Sequence, residues 1–174
     1  MVGTPDPRPS DPEPDPVSVA RTICLRLLSA RARTRAELAE ALAKRNVPAT
    51  AATEVLNRFT EVGLVDDANF AAAFVASRVG DRGLSRQEIE RQLKDRGVNP
   101  QIAAQALERV SPEQELAAAE SLIRRKARAM NHLEPAVKKR RLVGMLARRG
   151  YPAELACECV QRVVLEADAD GEQF

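Results

Sequence analysis

Ten Lys and Arg residues crowd positions 121–149: Arg124, Arg125, Lys126, Arg128, Lys138, Lys139, Arg140, Arg141, Arg148 and Arg149, with Glu134 the only acid among them. Guanidinium and ammonium groups at this density can hold phosphates or carboxylates. The chemistry on offer is therefore the binding of a polyanion or an acidic protein surface. A solubilising face, with long basic stems covering apolar surface, is the plain alternative. Three features favour binding. The acids that normally alternate with bases on a solvated helix are missing. The bases fall on two consecutive predicted helices. Their mutual repulsion has no local compensation. A second cluster, Arg78, Arg82, Arg86, Arg91, Lys94 and Arg96, is interleaved with Asp81, Glu88, Glu90 and Asp95. There a solvated face explains the pattern as well as a binding face does. Arg78, Arg82 and Arg86 join the ten as candidate contacts.

Reaction chemistry finds no such support. The eight glycines form neither a P-loop nor a G-x-G-x-x-G run, and there is no G-x-S-x-G. His132 is the single histidine and sits in a predicted connection, where a solvated loop residue is the better reading than a general base. Cys24, Cys157 and Cys159 are too few and poorly spaced for a disulfide framework, and with one histidine they fall short of the roughly four ligands a zinc site needs. Cys24 and Cys159 fall at core positions. Asp66 and Asp67 precede a helix, where carboxylates cap amides. No catalytic residues, cofactor or metal are expected, and the chain does not read as an enzyme.

The only aromatic residues are Phe59, Phe70, Phe74, Tyr151 and Phe174, and the first three lie on predicted core stripes. A base-stacking platform is therefore not expected. Direct DNA binding, if it occurs, goes to phosphate and is weak and salt-dependent.

These side chains must be held by helices. The chain has 174 residues, 44% apolar and 30% charged, with Ala, Leu and Val prominent and no Trp. No apolar run reaches the roughly 20 residues that span a bilayer, nor does the N-terminus resemble a secretory signal, so a cytoplasmic protein free of the membrane is expected. Formal net charge is only +2, but acids concentrate at both ends, and residues 17–165 hold 26 bases and 17 acids. Residues 1–17, rich in proline and acid, read as a disordered tail, and 167–174 as a frayed acidic tail.

Between them the punctuation repeats. Thr34-x-x-Glu37 and Ser85-x-x-Glu88 are capping boxes. Asn46 and Gly97 can end helices in the left-handed conformation, and Pro48 and Pro100 start the next ones. Shifting the first unit by 51 residues lays Ile23 on Phe74, Thr34 on Ser85, Leu42 on Leu93, Asn46 on Gly97 and Leu56 on Leu107. A further shift of 53 lays Gly97 on Gly150, Leu93 on Leu146 and Leu107 on Val160. The predicted fold is all-α: three tandem three-helix units, at 18–65, 66–112 and 113–166, forming an elongated curved array, with the chain expected to be a monomer.

The stretch at 55–80, "VLNRFTEVGLVDDANFAAAFVASRVG", resembles the linker of the RecX family: a hydrophobic helix, Gly63-Leu64-Val65-Asp66-Asp67, then Phe70, Ala71 and Arg78. "TICLRLLSARARTRAEL" at 22–38 is similar to the family's opening, and "LARRGYP" at 146–152 to its last unit. The likeness covers about residues 18–165. It implies tandem three-helix units and a regulator without catalytic residues. The implied partners are the RecA protein and its filament on single-stranded DNA. Inhibition of ATP hydrolysis and strand exchange would follow, and with it modulation of recombination and DNA repair. A stand-alone helix-turn-helix DNA-binding protein is the alternative, since a basic helix can enter a groove.

Overall fold

Each helix begins and ends where side-chain chemistry dictates. Asp15 caps the first, α1 (Pro16–Ala30), its carboxylate accepting from the amides of Val17 and Ser18 at 3.3 and 3.1 Å, with Pro16 at the first helical position. The structure, a computed structural model, describes residues 15–171, with side chains described as far as Leu165. The expected N-terminal tail therefore ends sooner than read: residues 15–17 belong to a capped helix, and residues 1–14 lie outside the described part.

Helices α2 (Arg35–Ala43) and α3 (Ala49–Glu61) follow, with Pro48 at the N-cap of α3 rather than inside it. Asp66 caps α4 (Asp67–Gly80) by accepting from Asn69 at 2.8 Å. Helix α5 spans Arg86–Asp95, and Asn99 with Pro100 opens α6 (Pro100–Glu108). Ser111 and Gln114 form a full capping box on α7 (Pro112–Arg128), a signal the sequence reading passed over. Helices α8 (Pro135–Ala147) and α9 (Ala153–Gly171) complete the described chain. Helix α9 continues through 167–171, which the sequence reading placed in a frayed tail. No strand occurs among the described residues.

Among the described residues three hydrophobic cores form, one for each three helices. Ala20, Cys24, Leu38, Leu42, Val55, Leu56 and Phe59 make the first. Ala71, Val75, Ile89, Leu93, Ala103 and Leu107 anchor the second, and Ile123, Leu142, Leu146, Cys159 and Val160 the third. In every set the outer helices pack on each other: α1 on α3, α4 on α6, α7 on α9. The chain divides into two compact units. The smaller takes residues up to Arg33 and from Glu37 to Val65, whereas the larger takes Thr34–Ala36 and everything from Asp66 onward.

The middle helix of each set ends at a residue with positive φ: Asn46 at 56°, Gly97 at 71° and Gly150 at 85°. This is the left-handed stop the repeat predicts. Asn46 is exposed and is the only non-glycine of the three, so Asn46→Gly should relieve residual strain. We expect a gain of up to about 1 kcal/mol in urea unfolding, with no effect on binding.

Within the larger unit, the start of α5 is tied to the end of α8. The Ser85 amide donates to the Arg149 carbonyl at 3.0 Å, and the Arg86 amide to a Glu115 carboxylate oxygen at 2.8 Å. Thr34–Ala36 make an analogous pair of bonds. The Thr34 hydroxyl donates to the Arg96 carbonyl at 2.7 Å, and the Arg35 amide to Asp67 at 2.9 Å. In both places the carbonyl immediately precedes the left-handed glycine.

Candidate functional site

On α7, Ala119, Leu122, Ile123 and Ala127 take the inward face, and on α8 Leu142, Met145 and Leu146 do. Helical spacing then leaves the intervening bases in solvent. Lys126 from α7 meets Arg140, Arg141 and Arg148 from α8 and its C-terminus around an open groove of about 640 Å³. Met130, Met145 and Gly144 supply its apolar part. A Cβ added at Gly144 would have the Arg148 guanidinium at 3.5 Å as its one neighbour within 4 Å outside its own helix backbone. Among the described residues, none of these four bases forms an ion pair.

The other predicted contacts divide by what their side chains already touch. Arg149 lines the groove, but its Nε donates to the Arg82 carbonyl at 3.0 Å and its Nη1 to the Met145 carbonyl at 3.2 Å. Burial lowers its pKa, and Arg148 and Arg125 lower it further, with Tyr151 opposing them. Arg86 donates from Nη1 to the Val110 carbonyl at 2.8 Å. Both arginines therefore join segments of the larger unit. Arg124 pairs with Glu120 at 3.6 Å, and Glu120 also pairs with Arg162. Lys138 donates to Asn131 at 3.1 Å. Arg82, Arg125, Arg128 and Lys139 are exposed.

Around Arg78 the structure adds a contact to the core packing that spacing predicts. Phe70 and Phe74 flank the second core half-buried, with ring centroids 5.9 Å apart. The Arg78 guanidinium stands 4.4 Å from the Phe74 centroid and that of Arg96 5.2 Å from it. Phe74 is thus a platform for two cations as well as a core residue. Burial lowers the Arg78 pKa, and Arg82 and Arg96 lower it further against the opposing Asp81. Arg91, by contrast, is matched by Glu88 at 2.7 Å and Asp95 at 2.8 Å. The Arg149–Arg82 bond joins the two basic clusters, which are far apart in the sequence. Two features escaped the sequence reading: the apolar floor of the groove, and Arg96 on Phe74. The spacing of Phe74 and Arg78, one helical turn, was the available signal for such a stack.

Cys24 and Cys159 are buried and burial raises both thiol pKa values, while Cys157 is exposed. His132 is exposed between α7 and α8. Among the described residues no group of His, Cys, Asp and Glu gathers in the number a metal needs, and no helix is long and apolar enough to cross a membrane.

Residues 20–59, 66–107 and 113–160 match, in that order, the models of the first, second and third RecX three-helix domains. A protein named Regulatory protein RecX from Streptomyces coelicolor is 46% identical over 164 residues, covering 94% of this chain and 87% of its own. One of the same name from Mycobacterium ulcerans is 48% identical over 155 residues, covering 88% and 90%. The crystal structure of RecX from Lactobacillus salivarius has the same fold, with a TM-score of 0.72 at 21% identity over 87% of this chain and 98% of that one.

Proposed function

Because the chain belongs to the RecX family, we propose that it binds the RecA recombinase and its filament on single-stranded DNA and inhibits ATP hydrolysis and strand exchange, thereby modulating recombination and DNA repair. The observation that carries this reading is the groove of Lys126, Arg140, Arg141 and Arg148, which presents bases with no paired acid among the described residues. Such a surface suits a nucleoprotein, where carboxylates and phosphates are both at hand. The protein acts by occupancy, as a cytoplasmic monomer, and carries out no reaction of its own. Three domains in series can engage adjacent recombinase protomers, and a clamp across their interface opposes filament rearrangement.

Adding substoichiometric protein to RecA on single-stranded DNA should lower the steady-state rate of ATP hydrolysis. No inhibition at any ratio would sink the proposal. In the absence of RecA, duplex binding should be weak and steeply salt-sensitive. Tight, sequence-specific duplex binding would point instead to a stand-alone DNA-binding protein.

A further inference from the structure

We infer that the groove between α7 and α8 is a docking site for an acidic amphipathic helix of a protein partner, not a track for a nucleic-acid strand. The inference deepens the functional reading above by assigning this surface to the protein component of the nucleoprotein. Composition is the first reason. The groove combines arginines with Met130 and Met145, and has Lys126 as its only lysine. Protein interfaces are enriched in Arg and Met and depleted in Lys. A phosphodiester track has no use for an apolar floor, whereas an amphipathic helix lays its apolar stripe into one. Unbranched, polarizable methionines adapt to the side chains of such a helix.

Shape and charge are the second reason. Gly144 removes the side chain that would otherwise occupy the groove, and outside its own helix backbone the Cβ position there has Arg148 as its one neighbour within 4 Å. The rim is cationic, with Arg140, Arg141 and Arg148 bearing no ion pair among the described residues. Their planar forks match carboxylates flanking an apolar stripe. No aromatic ring lines the groove on which a base could stack.

The test separates the floor from the rim. Gly144→Leu fills the floor, keeps every charge and improves helix propensity. One probe is a fluorescein-labelled helical peptide with leucines on one face and glutamates beside them, and the other is a labelled oligo-dT. Fluorescence anisotropy of the full chain should show peptide affinity falling about tenfold in Gly144→Leu, while oligo-dT affinity stays within about twofold. Gly144→Ala, which leaves most of the groove open, should bind the peptide as the unaltered protein does, and circular dichroism checks that both variants fold. Equal losses for peptide and oligo-dT would mean that a nucleic-acid strand runs through the groove, and unchanged peptide affinity would mean that no helix seats there. Either result overturns the inference. Because the peptide readout does not involve RecA, an unaltered protein that fails to inhibit RecA would sink the functional proposal and still leave the groove decided.

Discussion

Gly150→Ala should destabilise the larger unit by about 3 kcal/mol, one of the largest effects available from adding a single methyl group to this chain. Two independent penalties combine. Gly150 has φ of 85°, in the left-handed region where a Cβ costs roughly 1–2 kcal/mol. The added Cβ would also stand 2.5 Å from the Ser85 hydroxyl oxygen and 2.6 Å from the Glu88 Cβ. Neither neighbour can yield cheaply. Ser85 is buried, with its amide bonded to the Arg149 carbonyl and its hydroxyl accepting from the Glu88 amide at 3.1 Å. Relief by moving α5 away would break that inter-segment bond and leave buried polar groups unsatisfied. Gly80→Ala is the matched control. It lies at the end of α4 with nothing within 4 Å of an added Cβ, so it should be neutral or slightly stabilising. Urea unfolding followed by circular dichroism reads both. Equal stability of the two variants would show that the α5–α8 junction is not held as described.

That junction also marks how far the sequence could be read. The helix stops were legible because the left-handed slot needs Asn or Gly, which appear at 46, 97 and 150. The caps at Asp66 and Ser85 were legible for an equally local reason, a short oxygen-bearing side chain just before a helix. The second half of the Ser85–Glu88 box was not. Glu88 does not close it on the Ser85 amide: that amide goes to a carbonyl 64 residues away, and the Glu88 carboxylate pairs with Arg91 and Gln92. Local pattern cannot see a backbone partner supplied by another segment.

The basic groove offered as a candidate site was legible in charge but not in geometry. Counting bases from residue 121 missed Glu120, one position outside the window, which pairs with Arg124. Arg86 and Arg149 look like any other exposed arginine in sequence, yet both reach backbone carbonyls of other segments. Gly144 is the opposite case. A glycine within a helix carries no local sign of a purpose, and only the packing of α7 against α8 shows that its missing side chain leaves room for a groove. Phe74 fits a core stripe by spacing, but a spacing argument cannot tell full burial from an edge position under two guanidinium groups.

These distinctions decide which residues a functional test should change. Charge reversal at Arg140, Arg141 and Arg148 should reduce inhibition of RecA by roughly 100-fold without unfolding the protein. Arg149 is left intact because its bonds to the Arg82 and Met145 carbonyls would confound the result. Arg140, Arg141 and Arg148 are exposed, and none has an ion pair to lose among the described residues. Introducing acids among the neighbouring bases relieves repulsion, so the unfolding midpoint should hold steady or rise. A contact between unit charges about 4 Å apart is worth about 1 kcal/mol in bulk water, and reversal turns that attraction into repulsion. Three reversals therefore remove several kcal/mol before salt screening, which makes the loss largest at low ionic strength. The expected record is an inhibition curve for RecA ATP hydrolysis shifted to much higher protein concentration, with a shallower salt dependence than the unaltered protein. A triple variant that folds normally and inhibits as before would remove the groove from the mechanism and move attention to Arg78 and Arg96 on Phe74.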